Sequence, residues 1–195
     1  AYNPNARGAA DPGAHRNRAA TDVVEPGSVI KPFTVAAALE AGVDPNIQID
    51  TNPGTMMLGK YRIGDVHNHG VVDLTHLLSY SSNVGAAKLG IEMTSEHLSD
   101  VLTRFGYGDS SHSGFPGESS GVLAPPQTWG MVKRGSISYG MGLSVTPLQL
   151  AQAYATLANG GKRLPPTFLK GGAGKPVQAM SPKIAHEVMG MLENV

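Results

Sequence analysis

Val24-Glu25-Pro26-Gly27-Ser28-Val29-Ile30-Lys31-Pro32-Phe33 is the stretch on which the fold and chemistry of this chain turn. Pro26-Gly27 is turn chemistry. The alanine-rich run from Phe33 to Ala41 reads as a helix ended by Gly42. Pro32 falls in the opening turns, where its missing N–H matters least. Ser28 therefore stands at a turn-to-helix junction with Lys31 three residues on, and that spacing puts both side chains on one helical face. A serine is a weak nucleophile until a neighbouring base takes its proton, and the Lys31 amine is within reach. Peptide N–H groups at a helix start also favour negative charge developing nearby. Taken alone, S-x-x-K is expected about once by chance in a chain of this length, as a surface serine and lysine in a first helical turn.

The bulk numbers frame that motif. The chain has 195 residues, 41% hydrophobic and 15% charged, which suits one domain with a core and too little charge for disorder. Lys+Arg and Asp+Glu both number 15, so no basic excess points to nucleic acid. There is no cysteine, which excludes disulfides and thiolate metal sites. No apolar run is long enough to span a membrane, and no signal peptide opens the chain. The ends, Ala1-Tyr2-Asn3-Pro4-Asn5 and Glu193-Asn194-Val195, suggest part of something longer.

Working outward, residues 1–22 read as a polar surface segment with a helical turn near Ala14–Ala19. Residues 43–70 are turn-rich, with a short hairpin expected about Gly59. Asp73 caps a helix through Leu74, Leu77 and Leu78, which runs into Ser79-Tyr80-Ser81-Ser82-Asn83 before a second helix restarts at Val84. Thr94 caps the next, whose Leu98, Val101, Leu102 and Phe105 form an i, i+3, i+4, i+7 stripe up to Gly106. Residues 106–126 read as a long loop. A short helix over Gln127–Arg134 is expected to hold Trp129, followed by a glycine-rich turn from Gly135 to Gly142. Thr146-Pro147 and Ser181-Pro182 each open a helix. The first has an apolar face of Leu150, Tyr154, Leu157 and Ala158. The second has Ile184, Val188, Met191 and Leu192. The chain is thus mostly helix and loop.

Ser81-Ser82-Asn83 is the second chemical candidate. A hydroxyl there could pass a proton between a lysine and a leaving group, and a carboxamide could hold that lysine and a substrate amide. Serine and asparagine are also ordinary turn formers. S-x-x-K opening a helix with S-x-N in a later interhelix turn are two of three elements of the penicillin-recognising acyl-serine enzymes. Tyr2-Asn3-Pro4-Asn5, Arg16-Asn17-Arg18, Thr21-Asp22-Val23, Glu25-Pro26-Gly27-Ser28, Ser81-Ser82-Asn83-Val84-Gly85, Gly140-Met141-Gly142-Leu143 and Val145-Thr146-Pro147-Leu148-Gln149-Leu150-Ala151 extend the match. In order and spacing the chain resembles the class B penicillin-binding proteins, most of all the division-specific type, over essentially its whole length.

The resemblance implies an α+β fold of the penicillin-binding protein transpeptidase and serine β-lactamase type, with residues 1–195 forming mainly its helical part. It implies a peptidoglycan D,D-transpeptidase in which Ser28 is the nucleophile, Lys31 its base, and Ser81 and Asn83 the relay and positioning groups. Tyr139 would wall the substrate pocket, core packing being the alternative. The implied partners are D-Ala-D-Ala stem peptides, β-lactams and division-site membrane proteins, on the periplasmic face of the inner membrane, with no cofactor and no metal. The third family element, K-[ST]-G, is absent; Lys133-Arg134-Gly135 has the outline but the wrong middle residue and lies ahead of the Thr146 helix. In the family that element lies on a strand that supplies half the oxyanion hole. Loss of one oxyanion donor costs about 10²–10³ in rate, so weak or no activity is expected of residues 1–195 alone.

Two alternatives remain at this point. A serine β-lactamase or β-lactam sensor would fit S-x-x-K, but a class A β-lactamase carries S-D-N and a deacylating glutamate, and Ser82 stands where Asp would. A non-catalytic division-partner module is the other. Gly171-Gly172-Ala173-Gly174-Lys175 lacks the residues of a phosphate loop, His67-Asn68-His69 lacks a third metal ligand at useful spacing, and Glu25 reads as a first-turn carboxylate.

Overall fold

Alanine at positions 36, 37 and 38 lets neighbours approach one helix from every side, and the fold is built around that helix. The computed structural model describes residues 16–172 and 174–195. A short α1 (Arg18–Thr21) leads to a single 3-10 turn, Gly27–Ile30, which runs directly into α2 (Lys31–Glu40). Every residue of α2 from Lys31 to Leu39 is buried. Burial on all faces does not suit a helix with one amphipathic stripe, and the even spread of small and apolar residues in α2 matches it.

Four helices pack on α2: α3 (Leu74–Ser79), α4 (Asn83–Glu92), α5 (Ser95–Arg104) and α8 (Pro182–Leu192). Their starts follow the sequence. Asp73 accepts from the His76 amide, Thr94 from His97 and Ser181 from Ile184, each satisfying an N–H that the helix leaves free. The α5 stripe Leu98, Val101, Leu102 and Phe105 is buried throughout. Phe33 meets Phe105, Tyr107 and Tyr154 edge-on, with ring centroids 4.9, 5.3 and 5.3 Å away, the geometry that the ring quadrupole favours.

Strand is scarce among the described residues. β1 (Ile49–Asp50) pairs antiparallel with β4 (Val71–Val72), and β2 (Thr55–Leu58) with β3 (Tyr61–Gly64) in the hairpin expected about Gly59. β5 (Lys162–Arg163) pairs with β6 (Val177–Gln178), and single bridges join Val24 to Val145 and Val122 to Ser144.

Three local expectations change. Trp129 is not helical: Pro126–Thr128 is a 3-10 turn, Trp129 is extended, and α6 (Met131–Ile137) starts after Gly130. The buried indole instead donates to the Ala124 carbonyl at 2.9 Å. Residues 135–137 belong to α6 rather than to a turn. Gly135 is there for close approach, since a Cβ on it would lie 3.0 Å from both methyls of Leu58, and a Cβ on Gly90 of α4 would lie 1.8 Å from the Ser138 hydroxyl. In α7 (Pro147–Ala158) the buried residues are Gln149, Gln152, Ala153, Thr156 and Leu157, whereas Ala158 is exposed. Gln149 explains the shift. Its carboxamide oxygen closes a capping box on Thr146, and its nitrogen donates to the carbonyls of Gly106, Asp109 and Ser120. One buried amide thus ties down the long loop that follows α5.

Tyr2-Asn3-Pro4-Asn5 and the start of the turn expected near Ala14–Ala19 lie outside the described residues, as does Ala173 of the glycine-rich segment. Lys133-Arg134-Gly135 lies within α6, not on a strand. There Arg134 donates to the carbonyls of Gly90 and Ile91 and to the Ser95 hydroxyl, closing the C-terminal end of α4.

Candidate active site

The 3-10 turn presents Ser28 at the surface while the next helical residue, Lys31, is 1% exposed. Two distant contacts hold that turn and the helix it enters. The Tyr154 hydroxyl donates to the Val29 carbonyl at 2.9 Å, and the Thr34 hydroxyl to the Ser138 carbonyl at 2.9 Å. Tyr154 stood on an apolar face in the sequence; nothing there marked its hydroxyl as a support for the Ser28 turn. Glu25, ahead of the turn, accepts from the Gly142 amide at 2.9 Å.

Ser81 and Asn83 meet Lys31 from the break between α3 and α4. The Lys31 amine lies 3.0 Å from Ser28 Oγ, 3.0 Å from Ser81 Oγ and 2.9 Å from Asn83 Oδ1, and it also donates to the Ser81 carbonyl. Four acceptors face three ammonium protons. The Ser81 carbonyl and the Asn83 amide oxygen can only accept, whereas the two hydroxyls can either accept or donate. A neutral lysine can therefore keep two N–H bonds to the fixed acceptors and turn its lone pair to a hydroxyl. That is the arrangement a base for Ser28 and an exchange with Ser81 require.

Burial pushes the Lys31 amine down to about 8, and the Asp65 carboxylate opposes the fall. At pH 7 about a tenth of such a group is neutral. An open cleft of about 200 Å³ lies beside the pair, bordered by Ser28, Lys31, Leu78, Ser81, Tyr154 and Leu192.

Ser81 has φ +55°, a left-handed conformation that costs a non-glycine residue about 1–2 kcal/mol. Non-glycine residues persist there when their surroundings over-determine them. Here the Ser81 and Ser82 amides donate to the carbonyls of Leu78 and Leu77. The buried Ser82 accepts from the Gly85 amide as N-cap of α4 and donates to Asp65 at 2.6 Å. Asp65 follows β3 and is seventeen positions from Ser82. No periodicity or local pattern in the sequence singled it out.

Tyr139 is half-buried and packs on the hydrophobic core; it does not border the cleft at Ser28. The His69 ring stacks on Tyr80 with centroids 4.8 Å apart, and no cluster of three metal-ligating side chains occurs among the described residues.

The geometry can be set beside known proteins. The model of the penicillin-binding protein transpeptidase domain matches residues 1–195. The chain is 40% identical over 196 residues to the probable peptidoglycan D,D-transpeptidase PbpC of Pseudomonas aeruginosa, covering 100% of this chain and 35% of that protein. It is also 40% identical over 196 residues to the peptidoglycan D,D-transpeptidase FtsI of Escherichia coli K12, covering 100% of this chain and 33% of that one. The chain thus spans about a third of the length of these curated relatives. The solved TP domain of penicillin-binding protein 3 from Burkholderia pseudomallei superposes with a TM-score of 0.87 at 38% identity, covering 92% of this chain and 55% of that one.

Proposed function

The chain belongs to the penicillin-binding protein transpeptidase family, and on that premise we propose that it carries the acyl-serine centre of a peptidoglycan D,D-transpeptidase. The observation that carries the proposal is the Lys31 amine, buried and within 3.0 Å of both the Ser28 and Ser81 hydroxyls.

In the first half-reaction Ser28 Oγ attacks the carbonyl of the D-Ala-D-Ala bond while Lys31 takes its proton. The O–C bond forms and the C–N bond to the terminal D-Ala breaks. The proton passes through the Ser81 hydroxyl to the leaving amine, and Asn83 orients both Lys31 and the substrate amide. In the second half-reaction an amine from a neighbouring peptidoglycan strand attacks the ester. A new C–N bond forms, the Ser28–acyl bond breaks and the proton returns to Ser28. A β-lactam, whose strained amide resembles the dipeptide, acylates the same oxygen and leaves slowly.

Both peptidoglycan relatives quoted above are D,D-transpeptidases by name, and the likeness to FtsI supports a role in septal wall synthesis with membrane-bound division proteins as partners. Peptidoglycan lies outside the cytoplasmic membrane, so the site works on that face. No helix among the described residues is long and apolar enough to cross a membrane.

The test is a fluorescent penicillin on the full-length protein with Ser28→Ala as control. Stable labelling that the substitution abolishes supports the proposal. Rapid release of hydrolysed penicillin would make the protein a β-lactamase instead, and no labelling would leave a non-catalytic binding module.

A further inference from the structure

Asp65 binds three consecutive residues of the loop that carries Ser81 and Asn83. Its carboxylate accepts from the Ser82 hydroxyl at 2.6 Å, the Asn83 amide at 2.5 Å and the Val84 amide at 3.0 Å. The neighbouring Gly64 carbonyl accepts from the Asn83 side-chain nitrogen at 3.0 Å. That bond fixes which end of the carboxamide faces Lys31, since the nitrogen is held by β3 and the oxygen is left for the amine. The Asp65 backbone is itself anchored, its amide donating to the Gly54 carbonyl at 2.9 Å.

The first amides of α4 are thus served by two groups, Ser82 from within the chain turn and Asp65 from the hairpin. A single serine suffices to cap most helices. A carboxylate added at this end is stabilised by the helix dipole, but its reach across Ser82, Asn83 and Val84 does more than cap. It clamps the segment immediately after the strained Ser81.

We propose that Asp65 is a positioning residue for acylation, holding Ser81-Ser82-Asn83 so that Ser81 Oγ and Asn83 Oδ1 face Lys31. Among the described residues Asp65 is the charged group that acts on Lys31. Lys88 on α4 donates to the Asp50 carbonyl instead. The burial that lowers Lys31 is opposed by Asp65, the residue that follows β3.

This inference rests on the transpeptidase reading and deepens it. Three variants separate its parts. Asp65→Asn keeps the shape and loses the charge. Asp65→Glu keeps the charge and displaces it. Asp65→Ala loses both. The measurement, on the full-length protein, is the second-order rate of acylation by a fluorescent penicillin across pH 6–10, with Tm as a check on folding. Removing the negative charge lets Lys31 lose its proton more easily, so in Asp65→Asn the rise of rate with pH should move to lower pH by about half a unit or more. Asp65→Glu should keep the wild-type midpoint at a reduced plateau. Asp65→Ala should show the shifted midpoint and a plateau lower by about tenfold or more.

A merely structural role would lower Tm and leave the midpoint where it was in all three, and that result overturns the proposal. So would wild-type kinetics in Asp65→Asn and Asp65→Ala. Labelling of the wild type with unchanged Asp65 variants removes this inference alone, whereas no labelling of the wild type removes the transpeptidase reading and this inference with it.

Discussion

A Cβ on Gly140 would fall 2.0 Å from the carbonyl oxygen of Gly27. The Gly27 amide donates to the Gly140 carbonyl at 3.1 Å, and Gly140 sits at φ +91°. The residue before Ser28 is thus pressed against the turn that follows α6. In Gly140→Ala the left-handed backbone costs about 1–2 kcal/mol and the overlap adds about 1–3 kcal/mol. Thermal unfolding should show Tm lower by about 5 °C or more, and penicillin acylation should slow about tenfold or more as the Ser28 turn is displaced. Wild-type values for both would show that the contact is slack.

As the proposed base, Lys31 should set the pH dependence of acylation. Only its neutral form can take the Ser28 proton, so the acylation rate should rise with pH and level off above about 8. Lys31→Arg keeps a cation at every pH and should lose at least about 10² in rate. The stability sign follows from the same shift. Between about 8 and the ordinary value of 10.5 the unfolded chain holds a proton that the folded one has shed, so this residue makes folding more favourable as pH rises through that window. A rate that is flat from pH 6 to 10 would exclude Lys31 as the base.

Ser81 separates chemistry from backbone. Ser81→Ala removes the hydroxyl and keeps the cost of φ +55°, whereas Ser81→Gly removes the hydroxyl and relieves it. Both variants should lose deacylation and acylation to a similar degree, while the glycine variant is more stable by about 1 kcal/mol. Chemical denaturation midpoints and labelling rates read the two effects apart. Equal stability of the pair would mean that the Ser81 backbone is not strained.

Gln149 is the prediction farthest from the chemistry. Gln149→Leu leaves the carbonyls of Gly106, Asp109 and Ser120 without their donor, the first of them buried, at a cost of about 1–3 kcal/mol for each group that finds no water. Limited proteolysis should cut the variant faster between residues 107 and 122 than the wild type. Unaltered cleavage would show that the loop is held by other contacts.

Helix boundaries were legible because the capping residues announce them: Asp73, Thr94, Thr146 and Ser181 each precede a helix and each cap it. The α5 stripe was legible because apolar side chains repeat at the helical period. The Ser28–Lys31 pair was legible as a spacing, and its meeting with Ser81 and Asn83 as a family pattern. Gln149 was passed over because only apolar residues were placed on the inner face of that helix, while a polar side chain whose every hydrogen bond is satisfied is equally at home inside. Residues 135–137 were misread because three glycines and two serines from Gly135 to Gly142 look like a turn when the helix that needs a smooth partner is forty-five positions earlier. Asp65 was invisible for the same reason. Its partners are close in space and distant in the chain, and a single aspartate after a strand has no pattern of its own.

The burial of α2 on all sides bears on time. Its amides, from Lys31 to Leu39 inside the core, can meet solvent only when the whole domain opens, whereas the β2–β3 hairpin exposes Met57, Tyr61 and Arg62 and buries little besides Leu58. Segments with few buried contacts open at lower free energy. Lys31 therefore rides on a segment whose opening should cost the most free energy, and Asp65, which holds Ser81-Ser82-Asn83, hangs from one whose opening should cost less. Opening of the hairpin alone is then expected to loosen the site while the core stays folded. Hydrogen exchange should show amides of residues 55–65 exchanging well before those of α2, and equal protection of the two would remove that distinction.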